Sequence, residues 1–323
     1  MFKKFAVIAV FAMLAAVAFA APSRAQQTTE LKAAIGQKGA WTTAMVDFGM
    51  RQGFFQKQGL NVDIYWTQGG APTLQAVMSG SVDMAIDTGL LGIIGAYEKG
   101  GPLRVFSANS TGGPEIFWYA KKSSGFKTMK DVAGKSVAFS EVGSSSNLIL
   151  LGLLAQNNVH ANPIPTGSPP ATLTQVMTGQ VDVGWGVPPF GLKELSEGQI
   201  VILARGNDVP AFRNETVRVN VATADTLKTK RDAFVRFMTA YQQTIDWAYK
   251  DPKAYEYYAD LTKITPEQAK QVVHQFYPKE EMELTEIKGL DLATKQAADN
   301  KFTAEVLPPD DVKGMFDMIK PAP

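Results

Sequence analysis

Apolar positions along this chain keep two spacings: every second residue over short runs, and every third or fourth over longer ones. Leu31–Gly36 and Asn61–Trp66 read as strands, and between them Trp41–Gln58 carries Met45, Phe48, Gly49 and Phe55 at helical spacing. A turn at Gly69-Gly70-Ala71-Pro72 leads into a short helix, then a strand at Val82–Ile86, a helix at Leu90–Lys99 and a strand at Leu103–Asn109. Strands in alternation with helices predict a parallel sheet. The same plan resumes with strands at Phe117–Lys121 and Ser136–Ser140, a helix at Ser144–Asn157 and a strand at Val181–Trp185. Val217–Thr223 alternates as a further strand. The tail then turns helical over Lys230–Lys250, Pro252–Leu261, Pro266–Phe276, Leu290–Asn300 and Asp310–Met318.

The two halves share more than a plan. Thr73–Ala85 (TLQAVMSGSVDMA) and Thr172–Gly184 (TLTQVMTGQVDVG) agree at seven of thirteen positions with a constant offset of ninety-nine residues. Each copy reads as a helix, a Gly at its C-terminal end and a strand opening on Val-Asp. Gly suits a position that needs left-handed backbone. Asp83 and Asp182, paired by the repeat, are expected to bond nearby backbone. The offset is too long for a solenoid, whose periods are roughly 20–50 residues. It predicts two similar α/β lobes with a ligand cleft between them.

Met1–Ala25 differs from everything after it. Lys3 and Lys4 precede an apolar run from Phe5 to Ala21, and Ser23-Arg24-Ala25 has the small-x-small form of a cleavage site. This is the pattern of a cleaved secretory leader, and no later stretch reaches the apolar length of a spanning helix. The chain has no Cys. Thiolate nucleophiles and zinc–sulfur sites are thereby excluded, as is a lipid-modified N-terminal Cys, and a soluble periplasmic protein is expected. Removing Lys3, Lys4 and Arg24 from the 32 basic residues leaves 29 against 31 acidic, a net charge near −2. That balance argues against nucleic acid or an anionic membrane as partner.

The catalytic inventory is thin. His160 and His274 are the two histidines, and neither sits in a metal-ligand or triad pattern. The binding inventory is richer. Ligands of open α/β sheets sit outside the carboxyl ends of the strands, and here those ends are followed by small, donor-rich loops. The candidate contacts are Lys38, Trp41 and Thr42; Gly70 and Ala71; Thr88 and Gly89; Ser144, Ser145, Ser146 and Asn147; Trp185, Pro188 and Phe190; and Arg213. Ser144-Ser145-Ser146-Asn147 opens a helix, where hydroxyls and unpaired N–H groups favour an anion. Capping needs one of the serines, not three. Trp41, Trp185 and Phe190 would cover an apolar part, with Lys38 and Arg213 as counter-charges. Asp87 and Glu141 are the acids of these loops, each beside Gly or Ser that could cap it.

Gly53-Phe54-Phe55-Gln56-Lys57-Gln58-Gly59-Leu60, Gly69-Gly70-Ala71-Pro72, the Met78–Ala85 run, Asp131–Ala138, Gly143-Ser144-Ser145 and the second Val-Asp run ending at Pro188-Pro189-Phe190 occur in an order that resembles a known family. It is the periplasmic substrate-binding proteins of ABC importers for nitrate, aliphatic sulfonates, taurine and bicarbonate, with relatives for thiamine-pyrimidine precursors. The resemblance implies a type II periplasmic-binding-protein-like fold: two α/β lobes, joined by a hinge of two crossovers, that close on a ligand. Residues 26–113 with 215–323 would form one lobe with the C-terminal helices, and 114–214 the other. Ligand contacts would come from the loops at 37–42, 69–72, 87–89, 143–147 and 186–190. Many sulfonate-type members carry Trp-Asp where this chain has Val187-Pro188, which removes an expected partner for an amine-bearing ligand.

The expected function is therefore capture of a small organic anion for an inner-membrane ABC permease, by a monomer that needs no cofactor and catalyses nothing. A neutral or aromatic heterocycle such as a pyrimidine precursor is the rival ligand. A pyrimidine-synthase-like enzyme on the same fold is the rival class, and the missing Cys argues against it. A sensor ectodomain would need a membrane segment.

Overall fold

The computed structural model describes residues 28–322; the leader and its cleavage point lie outside the described residues. The strands are β1 (Thr29–Gly36), β2 (Leu60–Thr67), β3 (Met84–Gly89), β4 (Leu103–Thr111), β5 (Phe117–Lys121), β6 (Ser136–Phe139), β7 (Asn162–Pro165), β8 (Val183–Gly186), β9 (Ile200–Arg205) and β10 (Thr216–Thr223). They form two five-stranded sheets of the same topology, β2-β1-β3-β10-β4 and β7-β6-β8-β5-β9. Two α/β lobes result.

Neither sheet is wholly parallel, which corrects the expectation from strand–helix alternation. β10 runs antiparallel between β3 and β4, and β5 antiparallel between β8 and β9. In each sheet the inserted strand is the one that arrives from the other lobe. Alternation records only local βαβ units, and a strand supplied by a distant segment leaves no trace in it.

The duplication is real in three dimensions. β3 and β8 hold the same place in their sheets. Asp83 Oδ2 accepts the N–H of Lys32 on β1, and Asp182 Oδ2 accepts that of Ser136 on β6, both at 2.9 Å. Both aspartates stand before their strands rather than inside them, tying the strand start to its neighbour. The threonines repeat as well: Thr67 and Thr73 share a hydroxyl contact at 2.5 Å, and Thr166 and Thr172 one at 2.6 Å. Gly80 and Gly179 both take left-handed backbone, with φ 72° and 81°, which a side chain would strain.

The segment expected as one helix over Trp41–Gln58 is broken. A turn of 3-10 helix at Thr42–Ala44 leads to a helix at Met45–Gln52, and Gly53 at φ 75° separates it from Phe54–Lys57. The outer core of the first lobe forms where these two helices meet the long tail helix Arg231–Ala248, through Phe48, Phe55, Phe237 and Tyr241. A second core runs from the other face of that sheet into the second lobe.

The chain passes between lobes at 112–116 and 206–215, and the two passages are bonded side by side. Gly206 N–H donates to Ile116 O at 2.8 Å, Gly112 N–H to Glu215 O at 2.9 Å, and Gly113 N–H to Asn207 Oδ1 at 3.0 Å. Glu215 is buried, with one carboxylate oxygen taking a bond from Gln296 at 3.1 Å and the other without a partner among the described residues. Burial lifts its pKa from 4.5 to about 7. Between those values the folded chain holds a proton that the unfolded chain releases, so this group's contribution to stability falls as pH rises across the window and levels off above it. Glu215→Gln should melt near wild type at pH 4.5 and above it at pH 7.5, by calorimetry at both pH values. An equal difference at both would remove Glu215 as the cause.

Candidate functional site

The lobes meet along the carboxyl ends of their strands, and the closest approach is between glycines. Gly92 N–H donates to Gly143 O at 3.2 Å, and a Cβ on Gly89 would lie 2.5 Å from that same oxygen. Any side chain at Gly89 would therefore wedge the lobes apart. Beside this contact, the Glu141 carboxylate of the second lobe accepts the N–H of Ala71, at the start of the first-lobe helix Gly70–Met78, at 3.2 Å. Further along, Gln37 donates to Ser140 Oγ at 3.4 Å, and Phe190 covers Gly39. Tyr258 and Tyr277, from the tail helices, donate to Pro188 O at 3.1 and 2.7 Å.

The serine run divides its work. Ser144 caps the helix Ser145–Asn157 by accepting Asn147 N–H at 3.1 Å. Ser146 Oγ accepts the N–H of Ser140 at the end of β6, at 2.9 Å. Ser145 alone faces across the lobe boundary, where its hydroxyl accepts Arg218 Nε at 3.0 Å. The Asn147 side chain accepts Gly143 N–H at 3.1 Å and shapes the same loop.

Arg218 is the centre of the boundary. It sits on β10, buried, with Ser110 and Glu115 at its Nη1 (3.3 and 2.5 Å) and Asp87 3.8 Å from its Nε. Burial works against its charge, but Glu115 and Asp87 more than offset that and hold its pKa above the ordinary arginine value. Asp87 also accepts from Thr42 at 3.3 Å and from Asn109, while Asn220, two residues from Arg218 on the same strand face, accepts the Asp87 N–H at 3.0 Å. Tyr241 donates to Asn109 at 2.9 Å. Glu281, which accepts from Asn207 at 3.1 Å, is pushed up to about 8 by burial and by the charge of Glu115.

Residues 46–255 match the model of the family described as NMT1/THI5 like. The chain belongs to that family. No curated protein matches it. Its fold is that of periplasmic binding proteins. The alkanesulfonate-binding protein SsuA from Xanthomonas axonopodis pv. citri, bound to MOPS, superposes with a TM-score of 0.75 at 16% identity, over 90% of this chain and 98% of that one. The aliphatic sulphonate-binding SsuA of Escherichia coli gives 0.70 at 17%, over 91% and 94%. The nitrate-binding NrtA of Synechocystis PCC 6803 gives 0.70 at 14%, over 90% and 86%.

Against that frame the candidate residues separate. Thr42, Gly70, Ala71, Gly89, Ser144, Ser145, Ser146, Asn147, Pro188 and Phe190 lie at the lobe boundary. Thr88 lies beside them, its hydroxyl spent on Val219 O at 2.9 Å. Four others are not brought there. Trp41 is fully buried inside the first lobe among Phe48, Tyr249, Tyr255 and Tyr258, because the tail helices supply an aromatic box for it. Trp185 is buried opposite Trp118 in the second sheet. Lys38 is exposed and rests over the Trp66 ring at 5.7 Å. Arg213 lies on the second crossover, bonded to Asn207 O at 2.8 Å.

Arg218 and Glu115 were missed. The signal for Arg218 was present: Arg218 and Asn220 share one face of an alternating strand whose other face is Val217, Val219 and Val221. A strand apolar on one face and polar on the other reads as half-solvated. The fold places β10 fourth from one edge of its sheet and second from the other, and there both faces are buried.

Proposed function

We propose that this chain is the solute-binding component of an ABC importer, secreted to the periplasm behind the Met1–Ala25 leader, and that it captures a small organic anion between its lobes. The lobes are residues 26–113 with 215–323, and 114–214. The observation that carries the reading is the Glu141–Ala71 bond. A carboxylate of one lobe accepts an N–H from a helix start of the other, so the boundary is built to take an anionic oxygen there, next to Ser144 and Ser145. The sulfonate- and nitrate-binding neighbours on this fold agree with it. The protein binds its solute and does not transform it: His160 and His274 are both exposed, and His274 meets Tyr255 at 3.2 Å.

A thermal-shift panel of MOPS, ethanesulfonate, nitrate, benzoate and putrescine tests this. A ligand at 100 times its dissociation constant adds about 2.7 kcal/mol; the anions should stabilise and putrescine should not. Ser145→Ala should weaken the best anion by about 1–3 kcal/mol by calorimetry. Stabilisation by putrescine alone would sink the reading. A second reading rests on Asp87 and Glu115, which share a single guanidinium and leave negative charge inside the boundary. That charge favours a ligand offering N–H donors, such as an aminopyrimidine, and 4-aminopyrimidine belongs in the same panel.

A further inference from the structure

The two passages that join the lobes leave from one side of each sheet: 112–116 links β4 to β5, and 206–215 links β9 to β10. In the orders β2-β1-β3-β10-β4 and β7-β6-β8-β5-β9 those strands stand together at one end. The Glu141–Ala71 bond lies at the other end. Ala71 follows the edge strand β2, and Glu141 follows β6, second from the edge strand β7. A swing about the passages displaces this far side most, so a bond placed here resists opening with the longest lever.

Both partners are shaped for the contact. A Cβ on Gly69 would lie 2.9 Å from Glu141 Oε1, so the missing side chain makes room for the carboxylate. Ala71 is in the first turn of the helix Gly70–Met78, where N–H groups have no partner within the helix. The duplication offers a mirror image of this contact and does not build it. Counted from the strand starts that Asp83 and Asp182 bond, Gln37 stands as far past Lys32 as Glu141 stands past Ser136. At the ninety-nine-residue offset, Ser168, Pro169 and Pro170 replace Gly69, Gly70 and Ala71. The mirror pair would set an uncharged amide against a residue that has no N–H, with a side chain where Gly69 leaves room. Charge, donor and clearance come together in one of the two equivalent places.

We infer that Glu141 is a clasp. It fastens the lobes at the edge away from the passages, and solute enters and leaves when it lets go. The inference goes beyond the choice of solute, because both partners of the bond belong to the chain. Gly92 supplies a gauge of the clasp. It lies in the first turn of the helix Leu90–Glu98, so its N–H has no acceptor inside that helix. The acceptor it has, Gly143 O at 3.2 Å, belongs to the other lobe. Protection of this amide from hydrogen exchange therefore reads the opening of the lobes, however rare the open form.

The test is amide exchange by NMR on the full chain with no solute added. Glu141→Ala should speed exchange at Gly92 about tenfold, the scale of one hydrogen bond to a charged group. Ala34, in β1 between β2 and β3, should keep its protection and so show that the variant is folded. Ala71→Pro copies the helix start of the second lobe and removes the donor from the opposite side of the boundary. It should speed Gly92 as much. The double variant should exchange no faster than either single variant, since each breaks the same bond. Exchange at Gly92 that stays at the wild-type rate in Glu141→Ala, or single effects that multiply in the double variant, would overturn the clasp and leave the solute reading to its own panel.

Discussion

Arg218→Met should cost the protein about 3–5 kcal/mol of unfolding free energy, because it leaves two carboxylates buried without their partner. Glu115 and Asp87 are both buried side chains, and the guanidinium is the cation that faces them. An exposed ion pair would be worth far less, about 0–1 kcal/mol, so urea denaturation separates the two cases directly. The double variant Glu115→Gln with Arg218→Met should recover much of the loss, since it removes one stranded charge along with the cation. Asn109 and Thr42 continue to solvate Asp87 in that background. A single variant that unfolds like wild type would mean that Arg218 is not holding the boundary together.

Trp41→Ala should be nearly as damaging, at about 3–5 kcal/mol, and for a different reason. The indole is fully buried, with edge contacts to Phe48, Tyr249 and Tyr258 at centroid separations of 5.4, 5.7 and 5.2 Å and a stacked contact to Tyr255 at 6.0 Å. Truncation to Ala opens a cavity in a region that joins the first β–α loop to the tail helices, and large-to-Ala changes in cores carry that cost. Trp41→Phe should keep most of the stability and all of the solute affinity, since the ring does not reach the lobe boundary. A ring standing at the cleft would behave in reverse, with stability intact and affinity lost. Thermal melts of both variants, followed by titration of Trp41→Phe with the best anion of the panel, decide the matter.

The local plan was readable because local rules make it. The tail helix Pro266–Phe276 appears with the bounds its cap predicts: Thr265 bonds Gln268, and Pro266 takes the first helical position. The bonding of Asp83 and Asp182 to backbone was also legible, since a residue repeated at a fixed offset beside a strand start has few other duties. β7 was not seen, because Asn-Pro-Ile-Pro breaks every strand signal; two prolines are tolerable there because β7 is an edge. The aromatic box around Trp41 was hidden for another reason. Its partners Tyr249, Tyr255 and Tyr258 lie more than two hundred residues away in sequence, and a pattern along the chain carries no record of what returns to meet it. The same distance concealed the role of Arg218. The serine run was half legible: its capping member could be counted on, but which hydroxyl crosses the boundary depends on where β10 lies.

The paired passages at 112–116 and 206–215 limit how the protein can move. A leaf hung on one pivot can tilt, yaw and swing. Hung on two that are fastened to each other, it can only swing about the line through both. Gly206 with Ile116, Gly112 with Glu215, and Gly113 with Asn207 make that fastening. A swing of that kind would bring Ser145 back to Arg218, and Glu141 back to Ala71, in the same alignment. Closure by such a swing would have a single coordinate to search.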